Sequence, residues 1–250
     1  MDGHRPTWAA SDPCASLEQA QCYGEVTELG LRRSLYLMET HSCTITDTSV
    51  VYDIGSGHGN VARFFRTQTN ASRIVGIEIN ACRATVAEAQ HRKLLARPDF
   101  ALLHGDVRQL GFDDATHVFL TSQCWDSELL GAIFGQLARR ARQLTCVVSV
   151  GSLDALASQR LAALAAPFGR VGAIALRVAG TWDANAAAVH IVPARGGGCN
   201  RSCVRRTHRI LKRAAEHVEA DDYPGAELNP WRLASSPVLR LGGADGVIEL

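Results

Sequence analysis

Asp53-Ile54-Gly55-Ser56-Gly57-His58-Gly59 is the stretch on which the reading of this chain turns. It follows Ser49-Val50-Val51-Tyr52-Asp53-Ile54, a short run rich in β-branched and aromatic residues. It precedes Val61, Ala62, Phe64 and Phe65, which fall at helical spacing. Strand, glycine-rich turn and helix in that order make a ligand-binding unit of an α/β sheet. The glycines let the backbone turn sharply and let a ligand lie against bare peptide. A G-x-G-x-G turn alone is weakly specific, because a dinucleotide site with its diphosphate at the helix N-terminus uses the same device.

Outward from this unit the alternation continues. Residues 73–78 read as a second strand, 81–96 as a helix ended by Pro98, 100–104 as a third strand and 116–121 as a fourth. A helix over 127–142, a strand over 144–150 and a helix over 153–166 follow, the last stopped by Pro167 and Gly169. Strands over 171–178 and 186–192 close the series with no helix between them. This order predicts an α/β fold: a doubly wound, seven-stranded, mostly parallel sheet with a C-terminal antiparallel hairpin. This order resembles the Rossmann-like order of class I methyltransferases. Residues 1–45 read as a helical lead with helices over 16–23 and 28–41, residues 46–195 as the core, and 196–250 as a tail entered through Gly196-Gly197-Gly198.

Composition narrows the classes. The chain has 250 residues, a net charge of +1, 46% hydrophobic and 20% charged residues, which excludes global disorder and a wholly basic coat protein. There is no run of 18 or more apolar residues, so no membrane span is expected. Asp2, His4, Arg5, Pro6, Asp12 and Pro13 stand where a signal peptide would be apolar. Eight scattered cysteines predict reduced, buried thiols and an intracellular protein.

Acidic residues then decide the ligand. Glu78 ends the second strand, 21 positions after Gly57, the spacing of a carboxylate that grips ribose hydroxyls. Asp106 follows Gly105 at the end of the third strand, where an adenine amino group needs an acceptor. Asp53, just ahead of the glycines, would repel a phosphate but suits a sulfonium and an ammonium. Ribose, adenine and a cationic methionine tail together are S-adenosyl-L-methionine.

Tyr23-Gly24-Glu25-Val26-Thr27, taken with Asp53–Asn60, Val75-Gly76-Ile77-Glu78 and Gly105-Asp106, resembles the disruptor-of-telomeric-silencing family, the non-SET histone H-three lysine N-methyltransferases. The resemblance spans roughly residues 23–192. It implies that Tyr23, Gly24, Glu25, Val26 and Thr27 form a lid over the methionine end. Asp53, Gly55, Ser56, Gly57 and Asn60 then make the first cofactor loop, Glu78 the ribose ligand, and Asp106 with Val107 the adenine clamp. It also implies methyl transfer to a lysine in the globular part of nucleosomal histone H-three, and a nuclear chromatin regulator.

A lysine-pKa of about 10.4 leaves few neutral amines at pH 7, so such an enzyme needs a water-poor aromatic channel that favours and aims the amine. Trp125 and Trp182 are the expected walls, with Ser122 or Gln123 bonding near the methionine moiety or the amine. The chain departs from the family here: Leu120-Thr121-Ser122-Gln123-Cys124-Trp125 lacks the usual paired Asn, and the Tyr expected after Thr181-Trp182 is replaced near Val189. In the tail, Arg201, Arg205, Arg206, Arg209, Lys212 and Arg213 predict salt-sensitive contact with DNA phosphates. Cys199-x-x-x-Cys203 with His208 has no obvious fourth ligand, so no metal is expected.

Three alternatives stay open. The first is an RNA or DNA base methyltransferase, though amino-group base methylation usually goes with an Asn/Asp-Pro-Pro-aromatic turn after the fourth strand and Thr121-Ser122-Gln123-Cys124 has no proline. A protein-arginine enzyme needs two glutamates around that loop, and only Glu128 is near. The third alternative is a cofactor-binding scaffold without catalysis.

Overall fold

The structure, a computed structural model, describes residue 14 and residues 24–40, 43–122, 125–151, 171–177 and 187–193. Strands β1 (Val50–Ile54), β2 (Arg73–Glu78), β3 (Phe100–His104), β4 (His117–Thr121) and β5 (Cys146–Gly151) lie side by side in the order β3-β2-β1-β4-β5. Every neighbouring pair among these five is parallel. Ile54 pairs with Ile77 on one side and Leu120 on the other. β1, β2 and β4 are buried along nearly their whole length, as a parallel sheet covered on both faces requires. Beyond β5 come β7 (Ala187–Pro193) and β6 (Val171–Arg177), each antiparallel to its neighbour.

Strand alternation divides the core in two. Val51 and Phe119 face α1 (Glu28–Thr40) and α2 (Asn60–Gln68), where Phe65 stacks edge-on against Phe64 at 5.7 Å and Phe119 at 5.6 Å. Tyr52, Ile54, Val118 and Leu120 face α5 (Ser127–Arg140), whose Ile133, Phe134 and Leu137 cover them. Asp53 shares a strand face with Val51, so the sheet delivers its carboxylate beneath the start of α2. Strand order reverses between β1 and β4, and the crevice at the carboxyl ends of such strands is where α/β sheets bind ligands.

Two expectations need correction. The helix predicted over 81–96 is two helices, α3 (Ala81–Gln90) and α4 (Arg92–Leu95). His91 separates them with φ −108° and ψ 20°, because its ring turns inward to bond the glycine loop. Nor are all thiols reduced and buried. The start of α3 places Cys82 on the surface with its Cα 5.6 Å from that of Cys14, within bonding range, and the two form a disulfide. Cys43 and Cys146 do fit the expectation, being buried and free. Among the described residues no helix is long and apolar enough to cross a membrane. The helices expected over 16–23 and 153–166, and the tail from residue 196, lie outside the described residues.

Candidate active site

The loop from Gly55 to Gly59 hangs on the end of β2. The amides of Gly55 and Ser56 both donate to the Ile77 carbonyl, at 2.8 and 2.9 Å, and the Gly59 amide closes a turn on the Ser56 carbonyl at 2.7 Å. Glu78, the next residue but one after Gly76 on β2, is buried and holds the loop with its side chain. Its Oε2 accepts from the Gly57 amide and its Oε1 from the Asn80 amide, both at 2.8 Å. The Asn80 side chain in turn caps α3 by accepting from the Arg83 amide at 3.1 Å.

Asp53 is fully buried under this loop. Its Oδ2 accepts from the Ala62 amide at 3.1 Å, while its Oδ1 has no hydrogen-bond partner among the described residues. Burial pushes this carboxyl up to about 8, the Ala62 amide opposes the rise, and the nearby Glu78 and Glu25 carboxylates add to it. Glu25 reaches the site from the segment ahead of α1. Both its oxygens accept from Asn60 Nδ2 at 2.9 Å, and Oε1 lies 3.7 Å from His58 Nδ1.

The three acids that gather are therefore Asp53, Glu78 and Glu25. All three stand among the residues expected from the sequence, and so does Asp106, as the adenine acceptor. Asp106 sits at the rim past β3, where Arg108 grips it with Nε at 2.9 and 3.0 Å, Nη2 at 2.6 Å and its amide at 2.8 Å. That guanidinium holds the Asp106 carboxyl below the usual carboxylate range. Val107 packs into the α5-side core. Val26 is core on the other side, and Thr27 Oγ1 caps α1 by accepting from the Gly30 amide at 3.1 Å. Gly24 is partly buried ahead of them.

Among the residues expected to face the amine, Trp125 sets the edge of its six-membered ring against Gly55 of the loop. A Cβ on Gly55 would stand 2.7 Å from its Cζ2. Ser122 is buried with its hydroxyl 2.7 Å from that of Ser149. Tyr23, Gln123 and Trp182 lie outside the described residues. Sequence reasoning missed Ile79, 65% exposed directly after Glu78, an apolar face offered at the carboxyl edge of β2. Its signal was an isoleucine in a position that strand burial does not explain.

Gly55 answers two demands at once, a left-handed φ of 75° and the ring of Trp125. Gly55→Ala should cost about 1–2 kcal/mol of stability for the backbone conformation alone. The added methyl must also displace the indole, so chemical denaturation should be accompanied by a changed tryptophan fluorescence maximum.

The loop, its carboxylates and the strands that carry them fall within one recognisable segment. Residues 51–143 match a methyltransferase domain. Solved structures share the fold. A putative RNA methyltransferase of Pyrococcus horikoshii aligns at 12% identity over 65% of this chain and 83% of its own, with a TM-score of 0.52. The geranyl diphosphate C-methyltransferase of Streptomyces coelicolor A3(2), solved with Mg2+, geranyl diphosphate and S-adenosyl-L-homocysteine, aligns at 12% over 65% of this chain and 79% of its own, with a TM-score of 0.50. The mitomycin 7-O-methyltransferase aligns at 17% over 67% of this chain and 53% of its own, with a TM-score of 0.52. No curated protein matches. In all, 1040 solved chains match, and a fold by itself names no substrate. The donor set does fit an S-adenosyl group. A buried carboxylate with one oxygen unpartnered among the described residues, and two further acids, suit a cation, and the exposed Ile79 suits a flat base.

Proposed function

We propose that the chain is an S-adenosyl-L-methionine-dependent methyltransferase of class I, with the complete seven-stranded sheet of that class. The observation that carries this is Asp53: a fully buried carboxylate whose Oδ1 has no partner among the described residues, set under a bare-backbone loop between Glu25 and Glu78. The cofactor brings an activated methyl group on a sulfonium. The protein's own residues bind and orient. Glu78, already aligned by two amides, offers its remaining lone pairs to ribose hydroxyls. Asp53 and Glu25 supply negative charge for the methionine end, and Ile79 an apolar surface for adenine. Direct displacement needs the acceptor in line with the methyl, so most of the acceleration comes from proximity and orientation.

For the acceptor, the reading we favour is a lysine in the globular region of nucleosomal histone H-three, in the nucleus. Its support is the Tyr23-Gly24-Glu25 motif and the seating of Glu25 on the loop through Asn60. Trp125, whose ring lies against Gly55, would wall a lysine channel, and Ser122, Gln123 and Trp182 are the residues expected to complete it. The basic residues Arg201, Arg205, Arg206, Arg209, Lys212 and Arg213 would grip DNA phosphates beside it.

Labelled cofactor offered with nucleosomes, free histones and bulk RNA tests the whole reading. Label on nucleosomal histone H-three supports it. Label on RNA alone replaces the acceptor, and S-adenosyl-L-homocysteine binding without any transfer makes the chain a cofactor-binding scaffold. Trp125→Ala should lower turnover about 100-fold while cofactor affinity stays within about threefold, since a misaligned acceptor costs rate more than binding. Full activity in that variant removes Trp125 from the channel.

A further inference from the structure

The geometry points to His91 as a positioning residue that fixes the glycine loop from behind, a role for cofactor affinity that rests on the reading above. His91 sits where α3 stops and α4 begins, with non-helical φ and ψ. Its ring is buried and reaches across to the loop, with Nε2 2.9 Å from the His58 carbonyl oxygen. A carbonyl oxygen only accepts, so Nε2 carries the proton. Burial holds the ring below the usual imidazole value, which keeps it neutral with that tautomer fixed. Gly59 leaves the room. A Cβ there would stand 3.0 Å from His91 Cδ2, on a backbone with φ 78°.

The bond lands at the middle of the working part of the loop. On one side of His58 is Gly57, whose amide Glu78 accepts. On the other are Gly59 and Asn60, and Asn60 holds Glu25. The His58 ring itself lies beside Glu25. One buried imidazole thus sets the height of a carbonyl flanked by the loop's contacts to both Glu78 and Glu25. When that bond is lost, the loop still threads between β1 and α2, but its amides no longer keep register with the two carboxylates. Binding then weakens more than turnover.

The full chain carries the test, in two variants. His91→Phe keeps the ring volume and loses the donor, and His91→Gln keeps a donor at a similar reach. Amide hydrogen exchange over residues 57–60 should run roughly tenfold faster in His91→Phe, with β1 and β4 unchanged. The calorimetric Kd for S-adenosyl-L-homocysteine should rise about five- to tenfold, the loss of one buried hydrogen bond. For turnover, KM for the cofactor should rise while kcat changes by less than about twofold. His91→Gln should stay within about twofold of the parent on exchange and Kd. Wild-type loop exchange in His91→Phe overturns the assignment, and so does equal loss in both variants, because volume rather than the donor would then matter. If His91→Phe does not fold, His91→Leu takes its place against the same Gln comparison. Absence of S-adenosyl-L-homocysteine binding by the parent chain, with loop exchange still accelerated in His91→Phe, removes the cofactor reading and leaves the positioning role standing.

Discussion

Glu78→Ala should weaken S-adenosyl-L-homocysteine binding at least about 100-fold, below detection in an ordinary calorimetric titration. The carboxylate accepts from the Gly57 and Asn80 amides at 2.8 Å each, and hydrogen bonds to a charged group contribute about 1.5–3 kcal/mol apiece. One of these bonds holds the loop to the end of β2 before any ligand arrives, and the other fixes the turn from β2 into α3. Alanine removes them, orphans two amides and deletes the acceptor for ribose. Glu78→Gln keeps one acceptor oxygen but turns an NH2 toward an amide donor, so its affinity should fall between those of the parent and the alanine variant. Unchanged affinity in Glu78→Ala would refute the placement of the pocket.

The second large effect belongs to Asp53 and to pH. Its carboxyl rises from 3.8 to about 8 on folding, chiefly through burial. Between those values the folded protein holds a proton that the unfolded chain has released. Its stabilisation is complete below about pH 4 and drains away as the pH climbs to 8. Asp53→Asn preserves the shape without a titrating proton. The stability difference between parent and variant should therefore shift against the parent by about 1.4 kcal/mol per pH unit, measured by urea unfolding at several values from pH 5 to 8. A flat difference means that the folded carboxylate titrates as the unfolded one does. Ligand binding should run the other way. A cation beside Asp53 favours its ionised form, so the cofactor should bind more tightly toward pH 8 and release a proton as it does so, read by calorimetry in buffers of different ionisation enthalpy.

The parallel half of the fold was legible because its signals are local. Val50 to Ile54 and Arg73 to Glu78 are apolar runs bounded by turn residues, and no helical pattern competes with them. Asp53 and Glu78 could be placed at strand ends by counting, and the structure brings the two carboxyls close together. Counting along β3 reaches Asp106 in the same way, but it does not reveal the local pairing with Arg108. Glu25 was legible only through the Tyr23-Gly24-Glu25 motif, and its contact with Asn60, 35 positions away, is one that no periodicity encodes. The break at His91 was hidden for a similar reason. Ala, Val and Leu continue at helical spacing through it, and only the distant His58 carbonyl draws the residue out of the helix. The Cys14–Cys82 pair shows the same limit, since composition counts thiols but does not say which come within reach.

That disulfide has a topological result. Its two ends are 68 positions apart, and the stretch it closes runs through Glu25, Asp53, the glycine turn and Glu78. The carboxylates and turn proposed to hold the cofactor thus belong to one covalent ring, whereas Trp125 and the later strands hang outside it. Unfolding in the oxidised state leaves that ring intact, and a cross-link of this span removes about 4 kcal/mol of disorder from the denatured chain on the chain-entropy account. The part of the chain that would recognise the donor therefore stays tethered when unfolded, whereas the part that would meet the acceptor unfolds without that restraint.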